Sequence, residues 1–292
     1  MTTTTDTDTI RIVIPDWQGG CLKEYQFGAQ LLEWLAPKTD MPTIHIDTAP
    51  ISTKEIEEDG VSNKSSVLKT INDARTQIEQ YNPKKIVTLG GDCLVSLPSF
   101  SYLSDTYKND FGVLWIDTHP DISITGQVNH SHTYPVASLM GYGDKDFSKG
   151  IKHKVSGSKI MIAGIHSPLE YEEENIKKFG VQTCSPRQIQ NGSQVIIDWI
   201  KRENIKHLAI HIDLDVLNEL FFHSLYFSRP DVDKSSFDGI AQGKLNISDV
   251  ISVTNLVNEH TEVVGITIAE YLPWDAINLK HMLEKLPIIG RK

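Results

Sequence analysis

Apolar residues along this chain follow two rhythms. Short, nearly continuous runs rich in Val, Ile and Leu occur at Ile10–Ile14, Thr43–Ile46, Lys85–Leu89, Gly112–Ile116, Lys159–Ala163, His207–Ile212 and Val263–Ile268. Runs of this length with little polar alternation predict parallel strands covered on both faces. Between them the apolar spacing lengthens to three or four residues. Leu68, Ile71, Ala74 and Ile78 make one stripe of a helix over Ser66–Tyr81, with charges opposite, and Ser193–Arg202 and Ile247–Asn258 repeat the idea. Asn246 and Asp249 are placed to cap the last of these. Alternating strands and helices predict an α/β fold: a doubly wound, mostly parallel sheet with helices on both faces. Without an internal repeat or a long linker, residues 10–292 read as one domain, preceded by a polar start, residues 1–9, expected to be disordered.

Two stretches break both rhythms, Ile122–Tyr134 and Asn218–Gly243. Each follows a predicted strand. Loops at the carboxyl ends of parallel strands are where such sheets bind ligands.

Composition narrows the class. With 292 residues, 39% of them hydrophobic, the chain can bury one sizeable core. A formal net charge of -10 argues against nucleic acid or an anionic membrane surface as the main partner, since either needs a basic face, and it suits a small cationic substrate. Cys21, Cys93 and Cys184 are few and widely spaced, as in reduced cytosolic proteins. No stretch is apolar enough to span a bilayer, and the start lacks the basic and apolar regions of a signal peptide. The expected location is cytoplasmic.

The chemistry concentrates at two strand ends. Asp117-Thr-His119-Pro-Asp121 follows the run ending at Ile116, and Asp213-Leu-Asp215 follows the run ending at Ile212. In an extended segment alternate residues share a side, so the three ligands of the first cluster can face one site, and the two acids of the second can do likewise. A single Asp-x-Asp after a strand is usually a turn or a cap. Four carboxylates and an imidazole at one sheet edge repel one another unless a cation holds them, which predicts an oxygen-rich metal site suited to Mn²⁺. So many acids suggest two ions with a hydroxide between them.

Together with Gly90-Gly91-Asp92, Glu270 and Pro15-Asp-Trp-Gln-Gly-Gly20, these motifs resemble, in order and spacing, those of the ureohydrolase (arginase/agmatinase/formimidoylglutamase) family. The resemblance covers most of the chain. It implies a three-layer α/β/α sheet carrying two Mn²⁺ ions, whose bridging hydroxide cleaves a linear C–N bond of a guanidino-type substrate and releases urea or a urea-like product. Carried over residue by residue, it makes Asp117 and Asp213 bridging ligands, gives Asp121 to the first ion, and gives His119 and Asp215 to the second. It also implies that Asp121 passes the hydroxide proton to the leaving amine, that His132 relays protons at the mouth, and that Glu270 pairs with the guanidinium. Homo-oligomers, trimers or hexamers, are the corresponding assembly.

Three departures qualify what the resemblance implies. The family has histidine after Gly-Gly-Asp, where this chain has Cys93. As a ligand, Cys93 is softer than imidazole and opens the first site to other divalent ions; otherwise it is a small buried hydrophobe. His130 lies two residues from His132 and competes for its role. Gly164-Ile-His-Ser-Pro-Leu-Glu170 lacks the acidic pattern with which arginases hold the substrate α-amino group, so arginine, a modified arginine, agmatine and similar compounds all stay open. The run Glu170–Glu174 reads as a solvated helix start. Rival readings are a single-metal amide deacetylase on a related fold, for which the tandem histidines are absent, and a catalytically silent subunit.

Overall fold

The computed structural model describes residues 8–290. Its strands are β1 (Thr9–Ile14), β2 (Thr43–His45), β3 (Glu57–Glu58), β4 (Val61–Ser62), β5 (Lys85–Gly90), β6 (Phe111–Ile116), β7 (Ile160–Ala163), β8 (Gln182–Cys184), β9 (His207–Asp213) and β10 (Glu262–Ala269). Eight of them form one parallel sheet in the order β2-β1-β5-β10-β9-β6-β7-β8, and β3 and β4 make a separate antiparallel pair. Every strand predicted from the apolar runs is present. The expected disordered start falls mostly outside the described residues, but Thr9 already belongs to β1, paired with Lys85.

Side-chain alternation explains the three layers. Along β6, Phe111, Val113 and Trp115 pack into one hydrophobic cluster, and Leu114 and Ile116 into another. The first cluster includes Val67, Ala74 and Ile78 of the helix Lys64–Tyr81, and Leu97, Phe100 and Leu103 of the helix Ser96–Tyr107. The second includes Ile196, Trp199 and Ile200 of the helix Gln194–Arg202, and Val253 and Val257 of the helix Ile247–Asn258. Period two sends neighbouring strand residues to opposite helical layers, and each fully buried Leu or Ile contributes about 1.5–3 kcal/mol. Asn246 precedes the helix Ile247–Asn258, and its N–H donates to Asp249 as the sequence predicts.

Register sets where the loops emerge. Ile14 pairs with Gly90, Leu89 with Ile268, Ala269 with Asp213, and Ile212 with Ile116. Five adjacent strands therefore end at one level, and residues just beyond them become neighbours. Gly91 makes the tightest of these turns possible, since a Cβ there would lie 1.7 Å from the Asp16 carbonyl oxygen. Among the described residues, no helix is long and apolar enough to cross a membrane.

Candidate metal centre

Asp117 directly follows β6, Asp213 is the last residue of β9, Cys93 opens a short turn after β5, and Glu270 follows β10. By alternation, Asp117 and Asp213 share the face of Trp115 and His211, on the side of the first cluster. All of the residues singled out from the sequence converge here.

They form overlapping groups. Potential ligand atoms of Asp117, His119 and Asp215 lie within 4.8 Å of one another. So do those of Cys93, Asp117, Asp121 and His211, and those of Cys93, Asp213 and Glu270. Asp117 belongs to the first two groups, and Cys93 to the last two. His119 Nδ1 is 3.1 Å from Asp215 Oδ2, while its Nε2 donates to the Ala241 carbonyl at 3.0 Å. That bond at Nε2 leaves Nδ1 with the lone pair a cation needs.

The expectation of three ligands fanned along one extended segment is corrected by the backbone. Asp121 has φ of 45°, so His119 and Asp121 join different groups and Asp117 joins both. Asp215 is likewise in a tight turn, Leu214–Val216, rather than a strand. Here the capping role and the site role coincide: Asp213 Oδ1 accepts from the Asp215 N–H at 2.6 Å, and Asp117 Oδ1 from the His119 N–H at 2.7 Å. Each aspartate holds the turn that presents the next candidate ligand.

The electrostatics are those of a site short of positive charge. Burial, reinforced by neighbouring carboxylates, pushes Asp117, Asp121 and Asp213 well above the usual carboxylate range. Burial and then Asp213 raise the Cys93 thiol. For His119 burial opposes the charge, but Asp215 and Asp117 outweigh it and raise the imidazole. Asp121 Oδ2, Asp215 Oδ1, Glu270 Oε1 and His211 Nε2 are buried with no hydrogen-bond partner. Orphaned buried polar atoms each cost about 1–3 kcal/mol, and divalent cations are the groups that would satisfy the carboxylate oxygens among them. The donor set fits one.

The groups open into a cavity of about 320 Å³, lined also by Leu22, Tyr25, Val128, His130, His132 and Phe227. Glu270 stands at φ 65°, and burial lifts its carboxyl to about 8. The Tyr25 hydroxyl donates to Glu270 Oε2, which favours the anion and opposes that lift. His132 Nδ1 is 3.2 Å from the Gly19 carbonyl oxygen, an acceptor only, so Nδ1 carries the proton and Nε2 is an acceptor. Burial, with His130 second, lowers its pKa to about 4. His130 lies 5.9 Å from it, ring to ring.

Three residues of this region were not singled out from the sequence. Tyr25 sits on the helix Glu24–Leu35, 245 residues before its partner Glu270, and nothing local marks it. His211 lies inside an apolar run and reads there as a strand residue. Glu172, expected on a solvated face, is buried against the cavity and accepts from the Leu169 N–H. The last was legible in part, since an acid at the third position of a helix commonly caps it.

Comparison with known proteins gives a consistent relationship. A family profile described as "Arginase family" matches residues 25–224. Arginase 2, chloroplastic/mitochondrial, of Arabidopsis thaliana is 25% identical over 233 residues, covering 80% of this chain and 60% of that protein. An arginase of Staphylococcus aureus (strain MRSA252) is 23% identical over 190 residues, covering 62% and 63%. The aligned part thus spans about three fifths of these relatives. Among solved structures, Entamoeba histolytica arginase, in complex with L-ornithine, superposes with a TM-score of 0.75 at 18% identity over 91% of each chain. Formimidoylglutamase from Bacillus subtilis superposes with a TM-score of 0.64 at 16% identity, over 91% of this chain and 79% of that one. At these identities the structures speak for the three-layer fold alone.

Proposed function

The chain belongs to the arginase family, and on that premise we propose that it is a metal-dependent hydrolase cleaving a linear C–N bond of a guanidino-type substrate. The observation carrying this reading is the shared membership of Asp117 in two ligand groups, whose other members His119, Asp121 and Asp215 line one cavity. A carboxylate common to two groups is what a two-ion site needs as its bridge.

Asp117 and Asp213 would be shared by the two ions, with Cys93 and Asp121 holding the first and His119 and Asp215 the second. Mn²⁺ suits the half with His119, and the Cys93 sulfur admits a softer ion in the other. Ions bound there supply Lewis acidity that makes water a nucleophile near neutral pH and offsets charge developing on the substrate. Asp121, with one oxygen orphaned, accepts a proton and returns it to the leaving amine. His132, neutral with a free Nε2 toward the cavity, carries protons between the site and solvent. Glu270 pairs with the planar guanidinium through its free Oε1, held in place by Tyr25.

The cavity wall favours a particular tail. Leu22, Val128, Leu169, Phe227 and Ile240 line it, and among the described lining residues there is no lysine or arginine. An aliphatic or aromatic substituent is therefore preferred over one ending in a carboxylate, which would lack a cationic partner. Homo-oligomerisation belongs to this reading through the family alone. The test is metal removal by chelation, reconstitution with Mn²⁺, Co²⁺ or Zn²⁺, elemental analysis, and a screen of guanidino and amidino compounds for urea or ammonia release. Two ions per chain with metal-dependent release support the proposal. Metal-free protein after reconstitution, or one ion with amide hydrolysis only, overturns it.

A further inference from the structure

From the arrangement of β6 and β9 we infer that His211 is a metal ligand: its Nε2 supplies the imidazole at the first site, completing a set with Cys93 Sγ, Asp117 and Asp121. This rests on the two-ion reading above and specifies one of its two sites.

The geometry converges on Nε2. His211 and Trp115 are register partners on adjacent strands, and their rings stack at 3.6 Å between centroids and 11° between planes. The indole fixes the plane of the imidazole. The same indole donates from Nε1 to Asp117 Oδ2 at 3.0 Å, so one side chain positions two members of the group. The opposite ring nitrogen, Nδ1, is 2.7 Å from Ser96 Oγ at the start of the helix Ser96–Tyr107. The hydroxyl can accept from Nδ1–H, and in that tautomer, the one that ligation through Nε2 requires, Nε2 holds a lone pair and no proton. It is fully buried and has no hydrogen-bond partner. Ligand atoms of all four residues lie within 4.8 Å of one another. A histidine that only filled the space beside Trp115 would not be expected to combine a buried, unpartnered ring nitrogen with membership of a group holding two carboxylates and a thiol.

The sequence supplies an independent reason. The family pattern places histidine after Gly-Gly-Asp at the end of the β5 strand, and this chain has Cys93 there. An imidazole from β9 restores the nitrogen donor from a different strand, while Cys93 adds sulfur. Beside the shared Asp213, this set has the same one nitrogen and two carboxylates as the His119 half and adds a sulfur, which makes it the softer of the two. It selects Zn²⁺, Co²⁺ or Fe²⁺ over Mn²⁺. The two halves of the centre therefore differ in metal preference, with Mn²⁺ favoured beside His119.

Cobalt reports this directly. In wild-type protein loaded with two equivalents of Co²⁺, X-ray absorption should show about one imidazole per cobalt, averaged over both sites; His119 alone would give about half. His211→Gln should weaken one of two Co²⁺ affinities by at least about tenfold, leave the other unchanged, and alter the thiolate-to-cobalt absorption band. Cys93→Ser should remove that band and act on the same ion. Near-ultraviolet circular dichroism of the metal-free variants checks the fold, and the wild-type absorption measurement decides the matter if His211→Gln does not fold. About half an imidazole per cobalt, or unchanged affinities and spectrum in His211→Gln, overturns the inference while leaving the two-ion reading intact. Failure of wild-type protein to bind Co²⁺, Mn²⁺ or Zn²⁺ overturns both.

Discussion

Cys93 Sγ lies 3.0 Å from Asp213 Oδ2, joining the end of β5 to the end of β9 across the intervening β10. A thiol and a carboxylate at this distance share a proton in the metal-free protein, the proton that a cation bound in the proposed site would replace. Cys93→Ser keeps the size and the hydrogen bond but removes the soft donor. Zn²⁺ and Co²⁺ affinities at one site should fall at least about tenfold, with Mn²⁺ changed little, in competition titrations against a chelator. Equal loss for all three ions would show that Cys93 acts through packing alone.

The two ligand groups are separable by mutation because only Asp117 is common to the pair containing His119 and Asp121. Asp117→Asn should abolish turnover and reduce bound metal at both sites. Asp215→Asn should affect one ion only, the one beside His119. Elemental analysis after gel filtration distinguishes them. Identical stoichiometry in the two variants is inconsistent with a bridging Asp117.

His132 and His130 face the same cavity, but only His132 is tied to the backbone, through Gly19. His132→Asn should lower kcat by about 10²- to 10⁴-fold, the range for losing a positioned proton carrier. His130→Asn should change it less than about tenfold. An added small imidazole that restores rate to His132→Asn, and not to His130→Asn, identifies the carrier. The reverse ranking assigns the role to His130.

Stability of the metal-free protein should fall as pH rises through the window from about 6.5 to about 8. Burial raises the Glu270 carboxyl to about 8 from an unfolded value near 4.5, and Asp16 to about 7. The folded state therefore binds more protons than the unfolded state in that window, and stability declines with pH. His132, depressed to about 4, has the opposite slope, but its contribution is complete above about 6.5. Thermal melts in chelator at pH 6.5, 7.25 and 8 should show decreasing Tm, and added Mn²⁺ should flatten the trend. A Tm that rises with pH in chelator would mean the buried acids are already paired without metal.

The strand-forming runs were legible because parallel strands buried on both faces have no polar positions to hide them, and seven of seven such runs are strands. β8, Gln182–Cys184, was not, because a three-residue edge strand with two polar residues carries no apolar signal. The helix Ser96–Tyr107 was missed for a related reason: its serines at 96, 99, 101 and 104 are buried, so the helix shows no polar face. Asp117, His119, Asp121, Asp213 and Asp215 were legible because they cluster in sequence at strand ends. Tyr25 and His211 were not, since each acquires its role from register and helix placement far along the chain. Local spacing records which residues share a turn. It does not record which strands are neighbours.

Asp121 and Glu270 both hold left-handed backbone, at φ 45° and 65°, in the two loops that present them. For residues with a Cβ this conformation costs roughly 1–2 kcal/mol each, somewhat less for aspartate. Glycine at either position would relieve the cost and discard the carboxylate. Under the proposed function, a descendant released from the need to turn over its substrate would thus gain robustness by losing these two acids first. Glycine at either place in a related chain is accordingly a sign of a fold kept after its reaction has been abandoned.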